Sequence, residues 1–245
     1  MDGALDLTRT AIRDPRYAPR RLEVERRGDG SMVLFNPTPW SNAFATAVGP
    51  LAHWWKAAPD RVWLAERSGE GWRTVTYAEA HERVRALAGG LKGLGLPKGR
   101  PLLILARNGI EHALISYAAM GRAIPIAPVT PQYGLAGADL SRLAHAVEVL
   151  TPGAVYVDDA TAFAAALDAD FLGGLTVITG ANGRPGDVTL ESLYAAAPAP
   201  PIARPDDIAK LLLTSGSTGK PKAVINLHSA LAATAAQVAA CFDDP

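Results

Sequence analysis

PLLILARNGIEHALISYAAMGRAIPIAPV, residues 101–129, decides the fold class. Pro101 to Ala106 is a short continuous apolar run, too brief for a helix and too uniformly apolar for a strand with one wet face. Asn108 followed three residues later by Glu111 has the form of a helix-capping box, and Ala113, Leu114, Tyr117 and Ala118 then recur at helical spacing. Ile124 to Val129 is a second apolar run. Strand, helix and strand in that order describe one crossover unit.

The same alternation continues in both directions. Downstream, Leu140, Leu143, Ala144, Val147 and Leu150 make a helix stopped by Pro152 and Gly153. Ala154–Val157 is then a strand, Thr161–Leu167 a helix and Leu175–Thr179 a strand. Upstream, Thr76 and Glu79 form a capping box ahead of Tyr77, Ala80, Val84, Leu87, Ala88 and Leu91. Arg61–Glu66 and Trp72–Thr76 read as a hairpin about Ser68 and Gly69, preceded by a helix that carries Trp54 and Trp55 and stops at Pro59. Buried apolar strands separated by amphipathic helices predict an α/β fold with mainly parallel sheets flanked by helices on both faces.

The 245 residues carry 24 Lys+Arg against 24 Asp+Glu and are 49% hydrophobic, so the chain can bury a core without staples and is not disordered in bulk. Zero formal charge removes the electrostatic footprint of a nucleic-acid binder. Cys241 is the only cysteine, which excludes an internal disulfide and fits a reducing compartment. Residues 113–129 are interrupted by Arg122, Pro125 and Pro128, short of a membrane span. No apolar signal core follows Met1, so a cytoplasmic location is expected. Seven arginines lie between Arg9 and Arg27, but the acids among them argue for a solvated arm.

Three regions are expected: an irregular arm over 1–40, an α/β subdomain over 41–205, and the start of a second subdomain over 206–245. The Ala/Pro-rich stretch 195–207 would divide the last two. Bland readings suit several conspicuous residues. His53, His81, His112, His145 and His228 show no metal-ligand spacing and read as helix-surface or capping residues, so no residue is assigned to a metal. Asp158 and Asp159 cap the next helix, Gly89, Gly90 and Gly93 belong to a helix C-terminus, and Cys241 is buried and inert. Trp54, Trp55, Trp63 and Trp72 read as core at element edges rather than as a stacking platform.

Beyond the Ala/Pro stretch come a strand at Ile208–Leu213, the loop Thr214–Lys222, a strand at Val224–Leu227 and a helix at Ser229–Phe242. The loop reads Thr214, Ser215, Gly216, Ser217, Thr218, Gly219, Lys220, Pro221, Lys222. Glycines let successive N–H groups converge on an anion, hydroxyls add donors and lysines add charge, so a polyphosphate is the matching ligand. Gly216 and Gly219 are three apart and Pro221 follows Lys220, which departs from the common mononucleotide P-loop.

The segment resembles, in every defining position, the TSGSTGxPK phosphate loop of the adenylate-forming superfamily of acyl-CoA synthetases, luciferases and peptide-synthetase adenylation domains. Ala223 stands where that family usually has glycine, and Val224 and His228 fall where it often has valine and histidine. With Asp29–Met32, Asn108–Ala119, Pro125–Pro131 and Lys210–Asn226, the chain looks most like bacterial feruloyl-CoA synthetases. The resemblance implies the N-terminal part of the adenylate-forming enzyme fold, incomplete at the C-terminus. It implies ATP, Mg2+ and CoA with a small aromatic carboxylic acid as partners, joined through an acyl-adenylate to a thioester. It also implies that Lys222 is catalytic and that Thr214, Ser215, Gly216, Ser217, Thr218, Gly219 and Lys222 hold the β- and γ-phosphates. A fatty acyl or benzoyl ligase, and a noncatalytic phosphate-binding module, are the alternatives.

The family's adenine-binding YGxTE motif, its ribose-binding TGD motif and the lysine of its mobile C-terminal domain find no counterpart before Pro245. Residues 1–245 alone are therefore expected to have negligible ligase activity. The strands ending at Leu213 and Leu227 are expected to have open edges, inviting self-association or pairing with a further segment.

Overall fold

A computed structural model of the chain describes residues 16–19, 21–38, 44–214 and 221–242. The chain divides into two compact units, one of residues 44–232 and one of residues 1–43 with 233–245.

In the larger unit the apolar runs at 102–105, 126–129 and 154–157 lie in central strands, with the strand at 176–181 beside them. Among the described residues the strands and α-helices, in order, are β1 (Glu23–Arg26), β2 (Met32–Phe35), α1 (Gly49–Ala57), β3 (Val62–Ser68), β4 (Gly71–Thr76) and α2 (Tyr77–Gly93). Then come β5 (Leu102–Leu105), α3 (Ile110–Gly121), β6 (Ile126–Val129), α4 (Ser141–Leu150), β7 (Ala154–Asp159), α5 (Ala164–Leu167) and β8 (Thr176–Ala181). The last are β9 (Val188–Thr189), α6 (Leu190–Tyr194), β10 (Ile208–Thr214), β11 (Lys222–Leu227) and α7 (His228–Ala239).

Seven strands form one sheet in the order β11-β10-β6-β5-β7-β8-β9. All neighbours run parallel except β10 and β11. The predicted α/β class is the one observed. Side-chain alternation explains why β5 is apolar throughout: Leu102 and Ile104 pack with Tyr156 and Ile178 beneath Leu87, Leu91, Leu114 and Leu193. Leu103 and Leu105 pack on the other face with Val155, Val157, Leu143, Leu150 and Leu167. Each such leucine contributes about 1.5–3 kcal/mol by leaving water. The chain moves from β5 to β6 on one side, then returns through α4 to β7 on the other. The β5/β7 boundary is thus where the winding direction reverses.

The helix boundaries follow local chemistry where the sequence offers it. Thr76 and Glu79 form the reciprocal capping box at α2. At α3 the expected Asn108/Glu111 box is absent: Gly109 is the N-cap, and Ile110 N donates instead to Glu66 Oε2 at 2.7 Å, from the neighbouring hairpin. Glu111 is thereby released to accept from Tyr194 Oη at 2.7 Å, from Arg73 Nη1 at 3.1 Å and from Arg83. Burial works against its ionised form, but these donors outweigh burial and hold its carboxyl below the usual range. α5 is shorter than Thr161–Leu167, because Asp159 accepts from Thr161 N and Ala162 N and holds that turn open. Asp158, also read as a cap, accepts from Arg107 Nε at 2.6 Å.

Several other expectations change in three dimensions. The helix carrying Gly89 and Gly90 continues through both, and the left-handed residue beyond its end is Gly95, at φ 60°. A Cβ at Gly89 would meet Ala197 O at 2.0 Å and one at Gly90 would meet Leu193 Cα at 2.7 Å. Gly90 is thus a docking position for α6 itself and Gly89 for the chain that follows it. That Ala/Pro chain does not divide the protein: Ala199 N donates to Arg85 O, Ile202 N to Gly121 O and Arg122 Nη1 to Pro200 O. It bonds to the middle of α2 and to the end of α3 through its backbone, a role that needs no large side chains, and β10 beyond it joins the same sheet. The boundary expected at 205–206 therefore falls inside one compact unit. Nor is the edge of β10 open, since β6 and β11 flank it; β11 is the marginal strand at this end of the sheet and β9 at the other. Trp54, Trp55 and Trp63 are half-buried in ring contacts, whereas Trp72 is 58% exposed beneath Arg67.

In the smaller unit, β1 and β2 pair antiparallel around a turn with Gly30 at φ 84°. Within the span read as irregular, residues 23–35 are thus a hairpin. Leu22, Val24, Met32 and Leu34 all remain exposed, so no buried face imposes the alternation by which strands are read. Tyr17 stacks on Phe242 at 5.5 Å and Ala18 N donates to Cys241 O. Cys241 is exposed, not buried: its Sγ donates to Gln237 O at 3.3 Å. No described helix is long and apolar enough to cross a membrane.

Candidate functional site

β10 brings Thr214 to the end of an antiparallel pair, and β11 begins opposite it at Lys222. The register Thr214↔Lys222 closes the base of the loop, and Thr214 Oγ1 donates to Lys222 O at 3.4 Å. Ser215, Gly216, Ser217, Thr218 and Gly219 lie outside the described residues. Thr214 and Lys222 are both exposed.

Cross-strand partners share a face, so Thr214, Lys222, Leu212 and Val224 point one way and Leu213, Ala223 and Leu211 the other. The second set packs against the core that contains Leu143 and Ala146 of α4. Ala223 thus has a definite contact, its methyl adding to that apolar layer. The hydroxyl and ammonium of the base are turned to the opposite side, free of the core.

Two histidines shape the surroundings. His145 Nε2 lies 3.1 Å from Pro221 O, fitting an Nε2–H that donates to the loop exit, and its Nδ1 lies 3.8 Å from Glu148 Oε2. α4 therefore anchors the exit, a role hidden in sequence because 76 residues separate the pair. His228 opens α7, where its backbone N donates to Asp207 O at 3.1 Å and Ser229 N donates to Pro205 O at 2.9 Å. Its ring is fully buried, contrary to the surface reading. Burial favours the neutral imidazole and lowers its pKa, opposed by the Asp207 carboxylate and the Met120 carbonyl.

A strand, a hydroxyl-rich turn and a returning strand with lysine at the first position can receive an oxyanion at an exposed sheet end. Among the described residues no group of three or more His, Cys, Asp or Glu gathers to hold a metal ion. Magnesium binds through few protein ligands and mostly through substrate phosphates, and a turn that offers hydroxyls and lysine is compatible with a metal brought on a nucleotide.

The fold is that of an α/β protein with a strand–turn–strand unit at one end of its parallel sheet. The chain belongs to the AMP-binding enzyme family, whose profile matches residues 51–244. It is 36% identical over 203 residues to a salicyl-AMP ligase / salicyl-S-ArCP synthetase of Mycobacterium tuberculosis, covering 77% of this chain and 34% of that protein. It is 29% identical over 171 residues to 4-coumarate–CoA ligase 3 of Oryza sativa subsp. japonica, covering 69% and 30%. The crystal structure of VinN superposes with a TM-score of 0.61 at 27% identity, over 80% of this chain and 46% of that one. A fatty acyl-adenylate ligase from L. pneumophila, solved with acyl adenylate and pyrophosphate, shares the fold at a TM-score of 0.60 and 20% identity, over 76% and 31%. The chain spans roughly a third of the two curated relatives.

Proposed function

We propose that this chain carries the triphosphate-binding part of an ATP-dependent ligase that activates an aromatic carboxylic acid, of the hydroxycinnamic or hydroxybenzoic kind, and passes it to CoA. The observation that carries the reading is the TSGSTGKPK turn closed by the Thr214–Lys222 pair on the outer face of β10 and β11. Two relatives named for salicylate and 4-coumarate support the acid class.

In this reading a carboxylate oxygen of the acid attacks the α-phosphorus of ATP. The bond from α-phosphorus to the bridging oxygen breaks and pyrophosphate departs. Lys222, Thr214, Ser215, Ser217 and Thr218, with the backbone N–H groups at Gly216 and Gly219, hold the β- and γ-phosphates and stabilise the charge that gathers on the departing group. Magnesium, when bound, neutralises further charge on the phosphate oxygens. The CoA thiol then gives up its proton to solvent, its sulfur attacks the acyl carbon, and AMP leaves with the electron pair of the acyl–oxygen bond.

β11 offers a place for further pairing. Val224 and Ile225 on this marginal strand are 45% and 60% exposed, and a strand from another segment or a second copy would cover them.

Calorimetric titration with magnesium-ATP and with pyrophosphate tests the turn directly, and Lys222→Ala should weaken both about tenfold or more. Unchanged affinity would refute the assignment. Acid-dependent ATP–pyrophosphate exchange tests the chemistry in a protein that joins this chain to YGxTE and TGD segments. Exchange driven by ferulate or salicylate supports an aromatic acid, octanoate preference overturns that choice, and binding without exchange marks a noncatalytic module.

A further inference from the structure

A cleft of about 560 Å3 opens at the carboxyl ends of β5, β7 and β8, a separate place from the β10–β11 turn. Arg107, Asn108 and Gly109 follow β5, Asp158 ends β7, Gly180 and Ala181 end β8, and the β3–β4 hairpin contributes Glu66, Arg67 and Arg73. The cleft stands at the β5/β7 boundary where the winding reverses. Doubly wound sheets place ligands there, because the loops on either side diverge and leave a crevice. Its volume is in the range that small ligands occupy.

The independent observation is Tyr156. Its side chain is fully buried yet lines this cleft, and its hydroxyl has no hydrogen-bond partner. A buried hydroxyl without a partner carries an unrepaid desolvation cost that a ligand acceptor would remove. Gly180 keeps the approach open, since a Cβ there would stand 3.3 Å from Tyr156 Oη and 2.7 Å from Asp158 O.

Arginines and carboxylates balance in the lining, so the donors left unengaged set the ligand's chemistry. Each carboxylate is already engaged: Glu66 by Ile110 N and Arg73, Glu111 by Arg73, Arg83 and Tyr194, and Asp158 by Arg107. Donors remain in surplus. Arg67 lies 4.2 Å over the Trp72 ring and makes no ion pair among the described residues. Arg107 gives Nε to Asp158, which leaves its Nη groups outside that contact. Guanidinium groups of this kind fit phosphate and carboxylate oxygens in pairs.

We propose that this cleft is a second ligand site, for a small molecule carrying an oxyanion, phosphate or carboxylate, at one end and a hydrogen-bond acceptor at the other. Arg67 and Arg107 receive the oxyanion and Tyr156 Oη donates to the acceptor. The site is independent of the phosphate loop.

Titration of the isotope-labelled chain with sn-glycerol 3-phosphate and with succinate, followed by amide NMR, tests this. Saturable shifts are expected at Arg107, Gly109 and Gly180, with one probe binding more tightly and so naming the oxyanion. Arg67→Ala and Tyr156→Phe should each weaken binding about tenfold, as loss of one charge-assisted or buried hydrogen bond does. Lys222→Ala should leave it unchanged. Tyr156→Phe should also melt no lower than the parent without ligand, because it removes an unpaired hydroxyl, which keeps weak binding distinct from misfolding. Shifts confined to Thr214 and Lys222, affinities indifferent to Arg67 and Tyr156, or no saturation with either probe at millimolar concentration would overturn the proposal.

Discussion

Replacing Gly89 by alanine should destabilise the protein even though the residue lies inside a helix, where alanine is the better helix former. The new Cβ would sit 2.0 Å from Ala197 O and 2.9 Å from Ala197 C, both backbone atoms that cannot rotate away. Ordinary contact begins at 3.4 Å, so the chain at 197 must retreat by about 1.4 Å. That chain is tied by Ala199 N to Arg85 O at 2.9 Å, and Ala199 is buried. Overpacking costs about 1–3 kcal/mol and a lost hydrogen bond about 0.5–1.5 kcal/mol. Against these stands a gain in helix propensity of about 1 kcal/mol. The balance is about 2 kcal/mol of destabilisation, or about 4–8 °C in Tm for a unit of this size. Gly93→Ala is the control, because a Cβ there meets nothing within 4 Å, and it should stabilise by up to about 1 kcal/mol. Urea denaturation of both variants measures the difference. A Gly89→Ala protein as stable as Gly93→Ala would refute the close approach.

Glu111→Gln should cost about 1–2 kcal/mol at neutral pH, by weakening the links to Arg73, Arg83 and Tyr194. The folded carboxyl titrates below its ordinary 4.5, so its stabilisation is complete above that value and disappears as pH falls through the folded pKa. The gap between parent and variant in urea midpoint should therefore be widest at neutral pH and narrow under acid; a gap that stays constant would refute the coupling. Cys241, being exposed, should react with a thiol reagent in native buffer at the rate of a free thiol, and reaction only after denaturant would contradict its placement.

The parallel α/β class was legible because each strand and helix carries its own periodicity. The unbroken apolar run at Leu102–Leu105 already requires cover on both faces, and Thr76 with Glu79 marks a helix start within four residues. The motif behind the phosphate proposal stands out for a similar reason: its glycines, hydroxyls and lysines are contiguous. The β1–β2 hairpin was not legible, since its apolar side chains remain in solvent and leave no one-sided pattern. The rest depended on partners distant in sequence. Asn108 was a reasonable cap for α3 until Glu66 took the position across 44 residues, and Gly89 and Gly90 resembled a helix end until α6 and the chain beyond it lay against them. His145 gained its role from Pro221, and the Tyr156 hydroxyl became an orphan only when β7 was enclosed in the sheet. By itself the sequence determined which faces must be buried and which contiguous run gathers glycines, hydroxyls and lysines. Which element covers each face, which carboxylate satisfies each helix end and which polar group is left unpaid for were decided by the tertiary structure, because periodicity records the need for a partner and only the folded chain supplies one.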